Sequence, residues 1–157
     1  MNNSYEKTGV LSNDDILVMP TEKQLQKGVA ITECIQEIPC NPCVDSCPVH
    51  AISMENINAP PIVDYDACIA CGNCVGVCPG LAIFVVKKLL HSAEITVPYE
   101  FLPVPEKNQQ VHAHNRYGDI VDTGVVKKVR KKGKTYMITI EVKKEYAMDI
   151  RHITVKE

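Results

Sequence analysis

Tryptophan is absent and phenylalanine occurs twice, so aromatic residues make up only 5% of the 157 residues. That scarcity argues against a base-stacking platform for single-stranded nucleic acid. Long apolar runs are missing too. The longest, residues 81–86, has six residues, far short of the roughly 20 a helix needs to cross a bilayer, so no membrane span is expected. Residues 1–10 are polar and charged with no apolar stretch, which gives no sign of export; the chain reads as cytoplasmic, reducing and at home in an anaerobe. No glycine-rich nucleotide fingerprint and no nucleophile motif occurs, so the chain is expected to be non-catalytic alone. Charge is nearly balanced, 17 Lys and Arg against 19 Asp and Glu.

Cysteine is what the chain has in plenty. Cys68, Cys71, Cys74 and Cys78, with Pro79 following, spell C-x2-C-x2-C-x3-C-P, the run that holds 4Fe-4S clusters in bacterial two-cluster ferredoxins. Upstream, Cys40, Cys43, Cys47 and Pro48 repeat C-x2-C-x3-C-P, and Cys34 completes the eight. An offset of 31 residues carries Cys40, Cys43, Cys47, Pro48, Ala51 and Ile52 onto Cys71, Cys74, Cys78, Pro79, Ala82 and Ile83. Two half-sites of one design imply a pseudo-twofold core with two clusters. The offset also places Cys68 on Glu37, so the first half lacks one cysteine where the second has it.

A C-x2-C-x2-C loop wraps three iron corners of a cubane, and the cysteine before proline ligates the other cluster. Crosswise ligation assigns Cys68, Cys71, Cys74 and Cys47 to one cluster. The other takes Cys40, Cys43, Cys78 and a fourth ligand, for which Cys34 is the candidate through a longer C-x5-C loop. The alternatives are a structural role for Cys34, with Glu37 or solvent on the fourth iron, or a three-iron cluster; carboxylates are hard ligands that suit these clusters poorly. Gly72, Gly76 and Gly80 are expected to let the second loop pass close to an inorganic core. Two four-thiolate zinc sites would also use eight cysteines, but zinc ribbons pair C-x2-C knuckles across a longer gap. Disulfides would require an oxidising compartment.

The organisation expected is α+β: an N-terminal arm and short helix over residues 1–28, a two-4Fe-4S ferredoxin-like domain over 29–91, and a small antiparallel barrel of SH3-like or OB-like form over 92–157. Thr21 and Gln24 form a capping box ahead of a helix over 21–27, and Gly28 stops it. Strands are expected at 29–32, 62–64 and 84–87. In the tail, β-branched residues alternate with polar ones, giving strands at 111–114, 120–128, 135–143 and 148–155. Pro98, Pro103 and Pro105 suggest an irregular approach to the barrel.

Three further features carry charge or metal-binding groups. Lys127, Lys128, Arg130, Lys131, Lys132 and Lys134 surround Gly133 as a basic hairpin, either a solvated tip or a docking element for an acidic partner. His112 and His114 form H-x-H, but no third ligand is near in sequence. Glu33, Glu37 and Asp45 flank the first cysteine run and either tune a cluster by charge or are simply solvated.

The stretch E-C-I-Q-E-I-P-C-N-P-C at residues 33–43, continuing to Cys47 and Pro48, resembles the small ferredoxin-like subunits of FAD-dependent amino-acid dehydrogenase complexes, similar to the sarcosine-oxidase and proline or hydroxyproline dehydrogenase type. The resemblance extends into the tail at residues 98–101 and 122–124. It implies Cys34 as a ligand, an FAD-containing dehydrogenase subunit as partner, and a role as an electron-transfer subunit of an oxidoreductase complex that relays electrons from reduced flavin to another acceptor. The alternative is an iron–sulfur nucleic-acid-binding or regulatory protein using the basic β-domain, which the balanced charge and missing aromatics disfavour.

Overall fold

The duplication in the cysteine spacing is a duplication of structure. In the computed structural model, which describes residues 5–157, helix α3 (Pro42–Ser46) and helix α4 (Asn73–Val77) fall at the same offset as the cysteines. Strand β1 (Val29–Thr32) pairs antiparallel with β4 (Ile83–Lys88), and β2 (Ile52–Ser53) with β3 (Ile62–Val63). Thr32 faces Ile83 and Val63 faces Ile52, so the offset carries one pair onto the other with partners exchanged. The strand entering each cysteine loop therefore pairs with the strand leaving the other. One further bond extends each ladder equivalently: Glu33 N donates to Ala82 O and Asp64 N to Ala51 O, both at 2.7 Å.

Ahead of this core, the N-terminal arm contains a short helix α1 (Tyr5–Thr8) and a 3₁₀ turn at Asn13–Asp15; its first four residues lie outside the described residues. Helix α2 (Glu22–Lys27) starts at the Thr21 and Gln24 capping box and ends at Gly28, φ +95°. Lys27 Nζ donates to the carbonyls of Tyr65 and Asp66 at 3.2 and 2.6 Å, which ties α2 to the second half.

The tail supplies β5 (Ser92–Tyr99), β6 (Gln110–Asn115), β7 (Ile120–Lys132), β8 (Thr135–Lys143) and β9 (Ile150–Val155). With β1 and β4 they make one seven-stranded antiparallel sheet in the order β1-β4-β5-β8-β7-β6-β9. Strand β5 corrects the irregular approach read from its proline. Its ladder with β4 ends at Thr96, so Pro98 is paired only with β8, and a one-sided position tolerates a residue without an N–H. Strand β5 also lacks alternation because nearly all of it is buried, as in strands covered on both faces. In hydrogen bonding no barrel closes: β1 and β9 are the edges.

A continuous apolar core runs from Ile16 through the cysteine loops to Ile153, with Ile31, Ile83, Ile95, Ile138 and Ile140 fully buried. Among the described residues no helix is long and apolar enough to cross a membrane.

Candidate metal centres

All eight cysteines are free thiols, and they line two cavities. Cys34, Cys40, Cys43 and Cys78 line the first, a hollow partly open to solvent. Cys47, Cys68, Cys71 and Cys74 line the second. Each loop thus contributes the cysteine before its proline to the cavity of the other loop. Cys34, 44 positions from Cys78 in the chain, lies within electrostatic reach of both Cys78 and Cys40. Glu37 lines neither cavity.

Backbone amides are directed at the sulfurs in the same pseudo-symmetric way. After each C-P, His50 and Leu81 take positive φ, 52° at both, and the turn brings Ala51 N to Cys47 Sγ at 3.2 Å and Ala82 N to Cys78 Sγ at 3.4 Å. Ala30 N donates to Cys68 Sγ at 3.4 Å. Such donors favour thiolate over thiol and are among the groups that tune iron–sulfur potentials.

The thiols themselves show what the cavities require. Burial, and then the neighbouring Cys78, push Cys43 up to about 11; burial with Cys68 and Cys71 alongside pushes Cys74 up to about 12. Cys34 is raised for the same reasons, burial first. These three thiols hold their protons until a cationic group compensates them, so metal binding at Cys34, Cys43 and Cys74 must release protons. Among the described residues no three His, Cys, Asp or Glu side chains converge as around a single metal ion. The sulfurs line the walls of each hollow in sets of four, an all-thiolate donor set of the kind that soft metal groups, iron–sulfur clusters among them, take. Cys43 and Cys74, equivalent under the offset, are buried and within electrostatic reach of one another, so the two cavities meet there.

Sequence reasoning missed what surrounds the second loop. The basic hairpin is β7 and β8 joined at Gly133, φ +60°, and it lies on α4. Arg130 Nη2 donates to Cys71 O at 2.7 Å. A Cβ on Gly72 would meet Arg130 Nη2 at 2.6 Å, and one on Gly76 would meet Lys132 Cβ at 2.9 Å and Met137 Sδ at 3.0 Å. The neighbours crowding these two glycines are hairpin side chains, whereas Gly80 has no protein atom within 4 Å among the described residues. Lys127 pairs with Glu141 at 3.0 Å and Lys131 covers the Tyr136 ring at 5.1 Å. Lys128 and Lys134 stay exposed.

Beside the first cavity, Glu33 is buried rather than solvated. It accepts from Arg116 Nε at 3.1 Å, from Arg116 Nη2, and from Arg151 Nε at 2.7 Å. Burial alone would raise its pKa, but Arg116 and Arg151 together outweigh it and hold the carboxyl lowered. His114 is no metal ligand here: Nδ1 donates to Gly118 O at 2.8 Å and Nε2 accepts from Thr154 Oγ1 at 2.7 Å, leaving no free lone pair. His112 lies on the same strand with Thr154 as its cross-strand partner.

Residues 61–84 match the 4Fe-4S binding domain family. The chain carries a 4Fe-4S ferredoxin domain. It is 35% identical over 57 residues to the polyferredoxin-like subunit of an aliphatic sulfonate oxidoreductase from Pyrococcus furiosus, covering 36% of this chain and 33% of the relative. It is 43% identical over 54 residues to an uncharacterized ferredoxin of Methanocaldococcus jannaschii, 34% of each chain, and 43% over 53 residues to the ferredoxin-type protein NapF of Haemophilus influenzae, 31% of this chain and 30% of that one. The alignments thus span about a third of the length of each relative. No solved structure matches significantly. These findings mark the cysteine-rich part of the chain as 4Fe-4S-binding and similar to ferredoxins.

Proposed function

We propose that the chain is an electron-transfer subunit carrying two 4Fe-4S clusters. One is ligated by Cys34, Cys40, Cys43 and Cys78, the other by Cys47, Cys68, Cys71 and Cys74, in a bacterial ferredoxin-like core over residues 29–91. The observation that carries this reading is the sorting of all eight thiols into two cavities of four, each completed by a cysteine from the other loop. Bound there, a 4Fe-4S cluster accepts and releases one electron with the charge spread over its metal and sulfur atoms.

The rest is the work of the chain. Met54, Pro61 and Ile83 wall the first cavity and Ala30, Ala51 and Ile52 the second, limiting water at the sulfurs. The amides of Ala30, Ala51 and Ala82 hold three thiolates in place. Cys43 and Cys74, buried and within electrostatic reach of one another, lie between the two sets of ligands. Ile38 and Ile69, equivalent under the offset, are 46% and 56% exposed at the rims of the two cavities, apolar contacts through which a partner can approach.

That partner is an FAD-containing dehydrogenase subunit, amino-acid oxidising on the resemblance of residues 33–48, in a reducing, cytoplasmic setting. The relative named as a polyferredoxin-like oxidoreductase subunit supports a subunit role. Exposed lysines at an interface rim chiefly raise association rate, the part assigned to Lys128 and Lys134.

Anaerobically purified protein should contain about eight iron and eight sulfide per chain and show two four-iron signals by electron paramagnetic resonance. Stoichiometric zinc without visible absorption would overturn the reading. A co-purifying flavin-bearing subunit should reduce the clusters, more slowly at low salt when Lys128 and Lys134 are changed to Glu; unchanged transfer would remove the hairpin from the interface.

A further inference from the structure

The two cavities match in thiols but not in charge. Arg130 reaches from β7 to donate to the carbonyl of Cys71 and rests against Gly72, both of which line the second cavity. Among the described residues no carboxylate pairs with it, and its buried Nε has no acceptor. The equivalent positions of the first half are Cys40 and Asn41, where among the described residues no guanidinium is hydrogen-bonded. The buried cations nearest that half, Arg116 and Arg151, are both engaged by Glu33, which holds their charge behind the loop.

A cluster becomes more negative on reduction. An unpaired, poorly hydrated cation stabilises the more negative state of a neighbour, as it lowers a carboxylate pKa, and the potentials of these clusters follow local charge and hydrogen bonding. Resting on the reading that both cavities hold clusters, we infer that Arg130 makes the two centres unequal: the cluster held by Cys47, Cys68, Cys71 and Cys74 is the more readily reduced, and Arg130 is the positioning residue responsible. An electron shared between the centres then resides mainly on the second.

The test is a potentiometric titration of anaerobically reconstituted protein followed by paramagnetic resonance. Arg130→Gln removes the charge and leaves a neutral polar side chain in its place. At the potential where the parent's more readily reduced cluster is half reduced, that cluster's reduced-to-oxidised ratio should fall about tenfold in the variant, or 59 mV for one electron. The other cluster should move by less than about twofold and Arg130→Lys by less than about threefold on the same scale. The signal that moves should be the one Cys68→Ser perturbs. Equal movement of both clusters, movement of the one perturbed by Cys40→Ser, or an equal effect from exposed Lys134→Gln would overturn the inference. If Arg130→Gln loses its clusters, Arg130→Lys and Lys132→Glu carry the test. Lys132→Glu sets a carboxylate two residues along the same strand face, toward α4, and must lower the same cluster's ratio about tenfold while Arg130→Lys leaves it within about threefold; failure of either overturns the assignment to charge. A parent with one four-iron signal would instead overturn the two-cluster reading itself.

Discussion

Replacing Glu33 by Gln should destabilise the protein by about 3 kcal/mol, because it leaves two guanidiniums confined without their counter-charge. The side chains involved are 7% exposed for Glu33, 10% for Arg116 and 5% for Arg151, so solvent screens them little. Removing one partner of such a buried group typically costs about 3–5 kcal/mol, and Gln retains one oxygen to accept from Arg151, which favours the lower figure. In a chain of this length each kcal/mol moves Tm by about 2–4 °C, so a fall of about 6–12 °C is expected. Circular dichroism on anaerobic holoprotein reads the fold, and visible absorbance reads the clusters in the same scan. Because Glu33 precedes Cys34 and its partners sit beyond β6 and on β9, the triad ties the first loop to the far edge of the sheet. Absorbance from the first cluster should therefore be lost before the second. Adding Arg116→Gln restores the net charge of the group and should recover part of the loss. A fall below about 2 °C, less than one kcal/mol on the same scale, or a double variant whose loss equals the sum of the singles, would refute the reasoning.

Cys34→Ala should yield a three-iron signal or selective loss of the first cluster; two unaltered four-iron signals would make Cys34 merely structural. Gly72→Ala should cost more stability than Gly118→Ala. Both glycines have positive φ, 79° and 89°, worth about 1–2 kcal/mol for any L-residue, but only the former displaces Arg130 from Cys71. Equal losses in thermal melts would show that the guanidinium yields freely. Burial, with His114 nearby, lowers the pKa of His152 below its ordinary 6.5. The unfolded chain then binds more protons, so this contribution to stability is present above about pH 6.5 and is lost as pH falls through the folded value. Chemical denaturation from pH 7.5 to 5.5 should show a shallower decline in His152→Phe than in the parent, and identical slopes would exclude it.

Local chemistry is readable wherever it is written in neighbouring residues. The capping box of Thr21 and Gln24, the β8 bounds at Thr135–Lys143 and the β1 bounds at Val29–Thr32 follow from spacing and alternation within a few residues. The repeated cysteine spacing likewise announces two equivalent half-sites, because each loop must wrap its own metal group. Tertiary structure decided the rest. Arg130 reaches Cys71 across 59 residues, and Glu33 meets Arg116 and Arg151 across 83 and 118; no local pattern encodes such partners. Residues 92–99 hide a strand for a related reason: covered on both faces, β5 shows no alternation, and its proline is tolerated only because β4 ends beside it. Spacing determines which groups a short loop can present, whereas the charges and walls around a cavity come from segments that only the folded sheet brings together.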